Sequence, residues 1–228
     1  MKCAIMQPTY LPWAGYFSMI NSSDVFIFLD DVQFAKRSWQ QRNKIILNRK
    51  ERLLTVPVEK SGKSLQKIEE VRFTSNGWFQ SHQETINQAY GRHPYFDDVK
   101  NILNSTFNQS TDYLQDINIQ FIKSTMDYLN ITTPLLNSSH IPVKGNKSEY
   151  LYNICQYIGA DSYISAPGSI EYIEKERIFE TSKINVETFT FNTNNYKQLG
   201  VEEFISHLSI IDVIANLGKQ GTIEYINQ

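Results

Sequence analysis

The stretch Ala4-Ile5-Met6-Gln7-Pro8-Thr9-Tyr10-Leu11-Pro12-Trp13-Ala14-Gly15-Tyr16-Phe17, followed by Asp24-Val25-Phe26-Ile27-Phe28-Leu29-Asp30-Asp31, decides the fold. A short apolar run enters a loop holding two prolines and a glycine. An amphipathic turn follows through Phe17 and Ile20, and a second apolar run ends on paired aspartates. The pattern is strand, loop, helix, strand: a βαβ opening. Proline has no N–H for a sheet ladder, so Pro8 should stop the first strand at about Gln7. Pro12 fixes φ and restricts Leu11, while Gly15 lets backbone come close to another group at the helix start. Ligands of open parallel sheets sit outside the carboxyl ends of the strands, which is where Gln7, Tyr10, Trp13, Asp30 and Asp31 are expected. The plainer alternative makes Trp13, Tyr16 and Phe17 core aromatics beside an ordinary turn, and Asp30-Asp31 a solvated loop. A Gln, two Pro, a Tyr, a Trp and a Gly in one connection are more chemistry than a turn requires.

Beyond Asp31 the chain turns basic, with Lys36, Arg37, Arg42, Lys44, Arg49, Lys50 and Arg52 opposed only by Glu51, and with Phe34 and Trp39 interleaved. Ile45 to Leu47 and Leu53 to Val58 are expected to form two strands joined by a polar turn at Asn48-Arg49-Lys50. Such a loop is either a solvated face or a phosphate holder. An Arg fork suits a diphosphate, and a Trp can stack on a base or sugar. Ser61-Gly62-Lys63-Ser64 has the look of a phosphate-loop fragment, but the glycine a P-loop needs upstream is missing, so a polar turn explains it better.

From Trp78 the spacing becomes helical. Trp78, Phe79, His82, Ile86 and Tyr90 make one stripe ending at Gly91, Asp97 to Phe107 a second, and Tyr113 to Leu129 a third. These three helices predict an inserted helical block over about residues 76–130 in a single domain spanning 1–228. His82 and His93 have no partner at metal-ligand spacing, so each is expected to be a surface or core histidine. Strand composition resumes at Ile131 to Leu135, and a loop with Ser138-Ser139-His140 follows. Ser148 is expected to cap a helix over Glu149 to Ile158 that Gly159 stops. Ser162 to Ser165 is a strand, Ala166-Pro167-Gly168-Ser169 a small-residue loop whose amides could face a ligand, and Val186 to Phe191 an alternating strand. Phe204 to Gly218 is expected to be a final helix. The fold class is α/β, with a mostly parallel, Rossmann-like sheet.

The chain has 228 residues, 41% of them hydrophobic, enough for a substantial core, and a formal net charge of -2 that gives no footprint for a nucleic-acid partner. Cys3 and Cys155 are far apart in sequence and expected to be reduced and packed. No charged-then-apolar leader precedes Cys3 and no apolar run is long enough to span a bilayer, so a cytoplasmic location is expected. No metal cluster, nucleophile elbow or Cys-His motif is present, and no metal is predicted.

The run from Ala4 through Asp31-Val32-Gln33-Phe34-Ala35-Lys36-Arg37-Ser38-Trp39-Gln40-Gln41-Arg42-Asn43-Lys44-Ile45 resembles the WbqC-like family. The resemblance returns at Ser162 to Tyr172, at Asn195-Tyr196-Lys197-Gln198 and at Leu208 to Gly218. Where Ser-Gly-Pro is expected from the family, this chain has Ser165-Ala166-Pro167-Gly168. The opening is also remotely similar to pantothenate synthetase-type nucleotidylyl transferases, but Trp13 and Tyr16 stand where their two histidines would. WbqC-like proteins come largely from bacterial surface-polysaccharide gene clusters. The resemblance therefore implies an enzyme of O-antigen or capsule precursor synthesis, transferring an acyl or aminoacyl group to the amine of a nucleotide-linked amino sugar. A non-catalytic binding or scaffold protein of the same pathway is the alternative. Under this reading Asp30, Asp31 or His140 (or His207) is the base. Gln7, Tyr10, Trp13 and Gly15 frame the acceptor, and Gln33, Arg37, Trp39, Arg42 and Asn43 hold the diphosphate side. Ser165, Gly168 and Tyr172 meet the acyl group, and Tyr196 and Gln198 complete the binding set. The acyl or aminoacyl donor is not fixed; a charged tRNA and a homo-oligomeric protein both remain compatible with it.

Overall fold

The computed structural model describes residues 1–228 except Lys60, Ser64, Asn76 and the side chain of Thr181. Among the described residues the strands are β1 Lys2–Met6, β2 Val25–Phe28, β3 Arg42–Leu47, β4 Lys50–Thr55, β5 Leu135–Asn137, β6 Ser162–Ser165 and β7 Asn185–Thr188. The α-helices are α1 Ala14–Asn21, α2 Trp78–Tyr90, α3 Phe96–Phe107, α4 Leu114–Leu129, α5 Lys147–Tyr157, α6 Pro167–Glu176 and α7 Ile210–Ile226. Among the described residues no helix is long and apolar enough to cross a membrane. The chain divides into two compact units.

The first unit comprises Met1–Gln7, Ser18–Asp31 and Thr132–Phe191. Its five strands form one parallel sheet in the order β5-β2-β1-β6-β7. β1 is central: Cys3 pairs with Val25 on one side and Tyr163 on the other, Ala4 with Phe26 and Ile164. Its three middle residues and all four residues of β2 are buried. This is the continuous apolar pattern of a parallel strand with both faces covered, rather than an alternating one. The two cysteines distant in sequence meet here, with Sγ atoms 3.5 Å apart, free and buried. The α/β, Rossmann-like expectation matches this sheet.

Five local expectations change. Ser148 lies inside α5, which Asn146 precedes as N-cap, and its hydroxyl donates to Glu176. Ala166 to Ser169 is not a loop: Pro167, with no N–H to leave unsatisfied, occupies the first turn of α6. β7 ends at Thr188 rather than Phe191, and the strand near Ile131 begins only at Leu135. The last helix starts at Ile210, capped by the Ser209 hydroxyl, and Gly218 bends it instead of stopping it. Gly218 has φ 66°, and a Cβ there would lie 2.7 Å from the Tyr95 ring.

The second unit comprises Pro8–Phe17, Val32–Ile131 and Asn192–Gln228. β3 and β4 form a hairpin turning at Asn48 and Arg49, whose φ values of 54° and 64° suit a primed two-residue turn. α2, α3 and α4 are the three expected helices, with Gly91 ending the first; α3 packs on α4, and both contact α7. Of the Ser61 to Ser64 turn, Ser64 lies outside the described residues; Lys63 pairs with Glu59.

The Pro8–Pro12 loop belongs to the core of this unit, and all five of its residues are buried. A buried loop needs partners for its backbone polar groups, and side-chain amides supply them. Asn43 Nδ2 donates to the carbonyls of Tyr10 (3.1 Å) and Leu11 (2.8 Å), and Asn118 Nδ2 to those of Pro8 (3.3 Å) and Gln40 (2.8 Å). The Pro12 carbonyl accepts from Ile210 N at 2.8 Å.

Candidate functional site

In the first unit the strand order reverses between β1 and β6: the chain runs from β1 outward to β2 and β5, then returns to β6 and β7 on the other side. Open α/β sheets bind ligands in the crevice outside the strand carboxyl ends at such a reversal. Gln7 follows β1, and Ser165 ends β6 beside it. Asp30-Asp31 follows β2, and Asn137 ends β5 with Ser138 to His140 after it, on the same edge.

The two aspartates differ. Asp30 is fully buried. Its Oδ1 accepts from Ser138 Oγ (3.0 Å) and Ser139 N (2.9 Å), its Oδ2 from Asn137 Nδ2 (2.5 Å) and Ser139 Oγ (2.9 Å). A carboxylate has about four lone-pair sites, so these donors fill it. Asp30 is thus a clamp between the ends of β2 and β5, not the free base the sequence suggested. Asp31 is partly exposed and accepts one bond on each oxygen, from Ser138 Oγ (2.5 Å) and Tyr150 Oη (2.6 Å). It keeps lone pairs for a further proton. Ser138 Oγ carries one proton, accepts from Asp30 N at 3.1 Å, and lies within reach of both carboxylates, which therefore share it. Burial and the Asp31 carboxylate push the Tyr150 phenol well above its ordinary value, so Tyr150 stays a donor. His140 is exposed on the same 3-10 turn.

At the end of β6, Ser165 is fully buried and its hydroxyl donates to the Ala166 carbonyl at 3.2 Å. The elements facing outward come instead from α6. Its N-cap is Ala166, which has no side-chain acceptor, and Gly168 is exposed with open space around it. Tyr172 is half-buried and hydrogen-bonded with Ser169, its pKa raised by burial.

The other expected site residues lie in the second unit, in separate groups. Tyr10 is fully buried and bonds His82 Nδ1 at 2.8 Å, and Asn43 holds the loop backbone; both are structural rather than ligand-facing. The group that Gly15 admits is the protein's own Trp13 indole, since a Cβ at Gly15 would lie 2.4 Å from it. That indole stacks on His207 with centroids 5.0 Å apart. Gln33 is exposed and bridges to Lys67 in backbone pairing. Arg37 and Trp39 are exposed, and Arg42 Nε is buried with no partner among the described residues. Tyr196 and Gln198 close on Asp212 Oδ2 at 2.5 and 2.9 Å, a carboxylate whose burial raises its pKa. Gln198 also bonds both backbone groups of Ile205 at 2.9 Å, so the pair fastens the chain before α7.

Sequence reasoning missed Asn137, Ser138, Ser139 and Tyr150. Three consecutive short side chains able to donate, directly after a strand, were the available signal. No three His, Cys, Asp or Glu side chains converge as a metal site among the described residues.

The profile of the WbqC-like protein family matches residues 7–224. The chain is also 34% identical over 225 residues to the uncharacterized protein Rv1507c of Mycobacterium tuberculosis, covering 96% of this chain and 95% of that one. No solved structure matches it significantly. A match over nearly the whole length, joined by that relative, places the chain in one family: it belongs to the WbqC-like proteins.

Proposed function

We propose that the first unit binds a nucleotide-linked amino sugar at the β1/β6 reversal, and that Asp31 accepts a proton from its amine during acyl or aminoacyl transfer. The observation that carries this reading is the contrast between the two carboxylates: Asp30 is fully buried and takes three donors of its own besides the shared Ser138 hydroxyl, whereas Asp31 is partly exposed and takes only Tyr150 besides it. The amine nitrogen attacks the acyl carbon, the new N–C bond replaces the bond to the donor's leaving group, and the amine proton passes to Asp31. From there it returns to the leaving group, restoring the carboxylate. Tyr150 and Ser138 fix the orientation of Asp31 by donating to it. The start of α6, with no side-chain cap, favours the negative charge of a phosphate or a developing oxyanion. The family's occurrence in surface-polysaccharide gene clusters supports an activated cytoplasmic precursor as substrate.

A non-catalytic binding protein is the second reading, favoured by the two hydroxyl donors already on Asp31. Incubation with nucleotide-linked amino sugars and acyl or aminoacyl donors, read by mass spectrometry, separates the two. Transfer should add the acyl mass, and Asp31→Asn should lower turnover by about 10²- to 10⁴-fold with affinity nearly kept. Binding with no mass change across all donor classes would leave the scaffold reading.

A further inference from the structure

The second unit contains a cavity of about 400 Å³ bounded by α2, the end of α3 and the start of α4. That lies in the size range of small-ligand sites. Phe73, Trp78, Phe79 and Phe107 form its walls. Phe79 and Phe107 stack at 5.8 Å with an interplanar angle of 24°, and Trp78 meets both edge-on. The rim is the loop from Asn108 to Asp112, and Asn108 and Gln109 are exposed.

Two features point to a ligand. Trp78 is only 7% exposed, yet its Nε1 has no hydrogen-bond partner among the described residues. Buried indole N–H groups ordinarily find an acceptor. The rim is also fixed in advance, which lowers the ordering cost of binding. Phe73 N donates to the Asp112 carbonyl (3.1 Å), Arg72 Nη2 to Tyr113 Oη (2.7 Å), and Thr111 Oγ1 to Asp116 (2.5 Å).

The lining selects the ligand class. No Lys or Arg is among the described lining residues, which disfavours phosphate. The one carboxylate, Asp112, lies 3.7 Å from Arg72 and is offset by it. What remains is aromatic surface below and amide and hydroxyl groups above. An uncharged sugar ring has the matching halves, C–H faces for the aromatic walls and hydroxyls for the rim. We infer that this aromatic cavity is a binding site for a neutral saccharide ring, separate from the strand-end site of the first unit.

The test uses methyl β-D-glucopyranoside, cellobiose and chitobiose, with uridine and adenosine as the competing class. Saturation-transfer NMR should mark the saccharide ring protons, with Kd on the order of 1 mM. The Trp78 indole N–H resonance should move as the saccharide covers the ring that walls the cavity. Phe107→Ala should weaken binding at least about tenfold and Gln109→Ala roughly threefold, with circular dichroism confirming the fold. Gln109 is exposed on the rim, so its variant decides the matter even if Phe107→Ala fails to fold. No transfer to any of the three saccharides would overturn the proposal. So would nucleosides binding in their place, or equal saccharide binding by both variants. These probes carry no diphosphate and no free amine, so their result is independent of the transfer reading.

Discussion

Replacing Asp30 by Asn tests whether the two strand-end aspartates divide structural and chemical work. In the native site four donors converge on Asp30, two on each oxygen. Asn keeps an acceptor for the Ser138 hydroxyl and the Ser139 N–H. Its amide nitrogen, however, faces the Asn137 Nδ2 donor, so one bond is lost outright, while the Ser139 hydroxyl can turn to accept. A bond to a charged group contributes about 1.5–3 kcal/mol, and a neutral one roughly half as much. Losing one bond and weakening the others, less the relief of no longer burying a charge, gives a destabilisation of about 2–4 kcal/mol. Asp30→Ala should exceed that, because the Asn137 amide and both Ser139 donors lose their acceptor together, while Ser138 keeps Asp31. Asp31→Asn, at a partly exposed position with two donors that can rotate, should cost less than about 1 kcal/mol. Urea unfolding followed by circular dichroism reads all three. Asp30→Asn within about 0.5 kcal/mol of the parent, or Asp31→Asn costing as much as Asp30→Asn, would refute the clamp.

Two further predictions concern the second unit. Burial pushes the His82 pKa down to about 4, and its hydrogen bond to the Thr55 backbone makes Nδ1 the acceptor for Tyr10. The unfolded chain, with a His pKa near 6.5, binds more protons between those values, so stability should fall as pH drops through that window. The loss should total about 3 kcal/mol on the acid side, and a His82→Gln variant should show a correspondingly shallower urea-midpoint dependence. Gly15→Ala should cost about 1–3 kcal/mol by driving a methyl into the Trp13 indole. Combining it with Trp13→Ala should restore most of that loss, and additive costs in the double variant would show that the indole is not the obstacle.

The parallel sheet was legible because β1 and β2 are unbroken apolar runs ended by Pro8 and Asp30, signals that need no tertiary information. The hairpin and the three helices of residues 78–129 were legible for the same local reasons. The start of the last helix was misplaced because Phe204, Ile205 and Leu208 continue its apolar spacing while the chain there is irregular, with His207 in the left-handed region at φ 56°. Whether a polar side chain serves a ligand or the fold depends on what surrounds it, and that was not legible. Tyr10, Asn43 and Gln198 look like binding residues in sequence; each is spent on backbone or buried side chains. Asp30 looked identical to Asp31 until the donors of residues 137–139, more than a hundred positions away, were in place.

β1 sits between β2 and β6, and these neighbours arrive at very different times during synthesis. β2 follows within the first 28 residues, whereas β6 begins at Ser162, after roughly 130 more. At a translation rate of about 5–20 residues per second, the β6-facing edge of β1 waits roughly six to twenty-six seconds for its partner. Throughout that interval an apolar strand exposes unpaired N–H and C=O groups, the arrangement that recruits foreign strands. The nascent chain is therefore most vulnerable to aggregation while the second unit's long insertion is emerging. A chaperone that shields β1 would act during that interval.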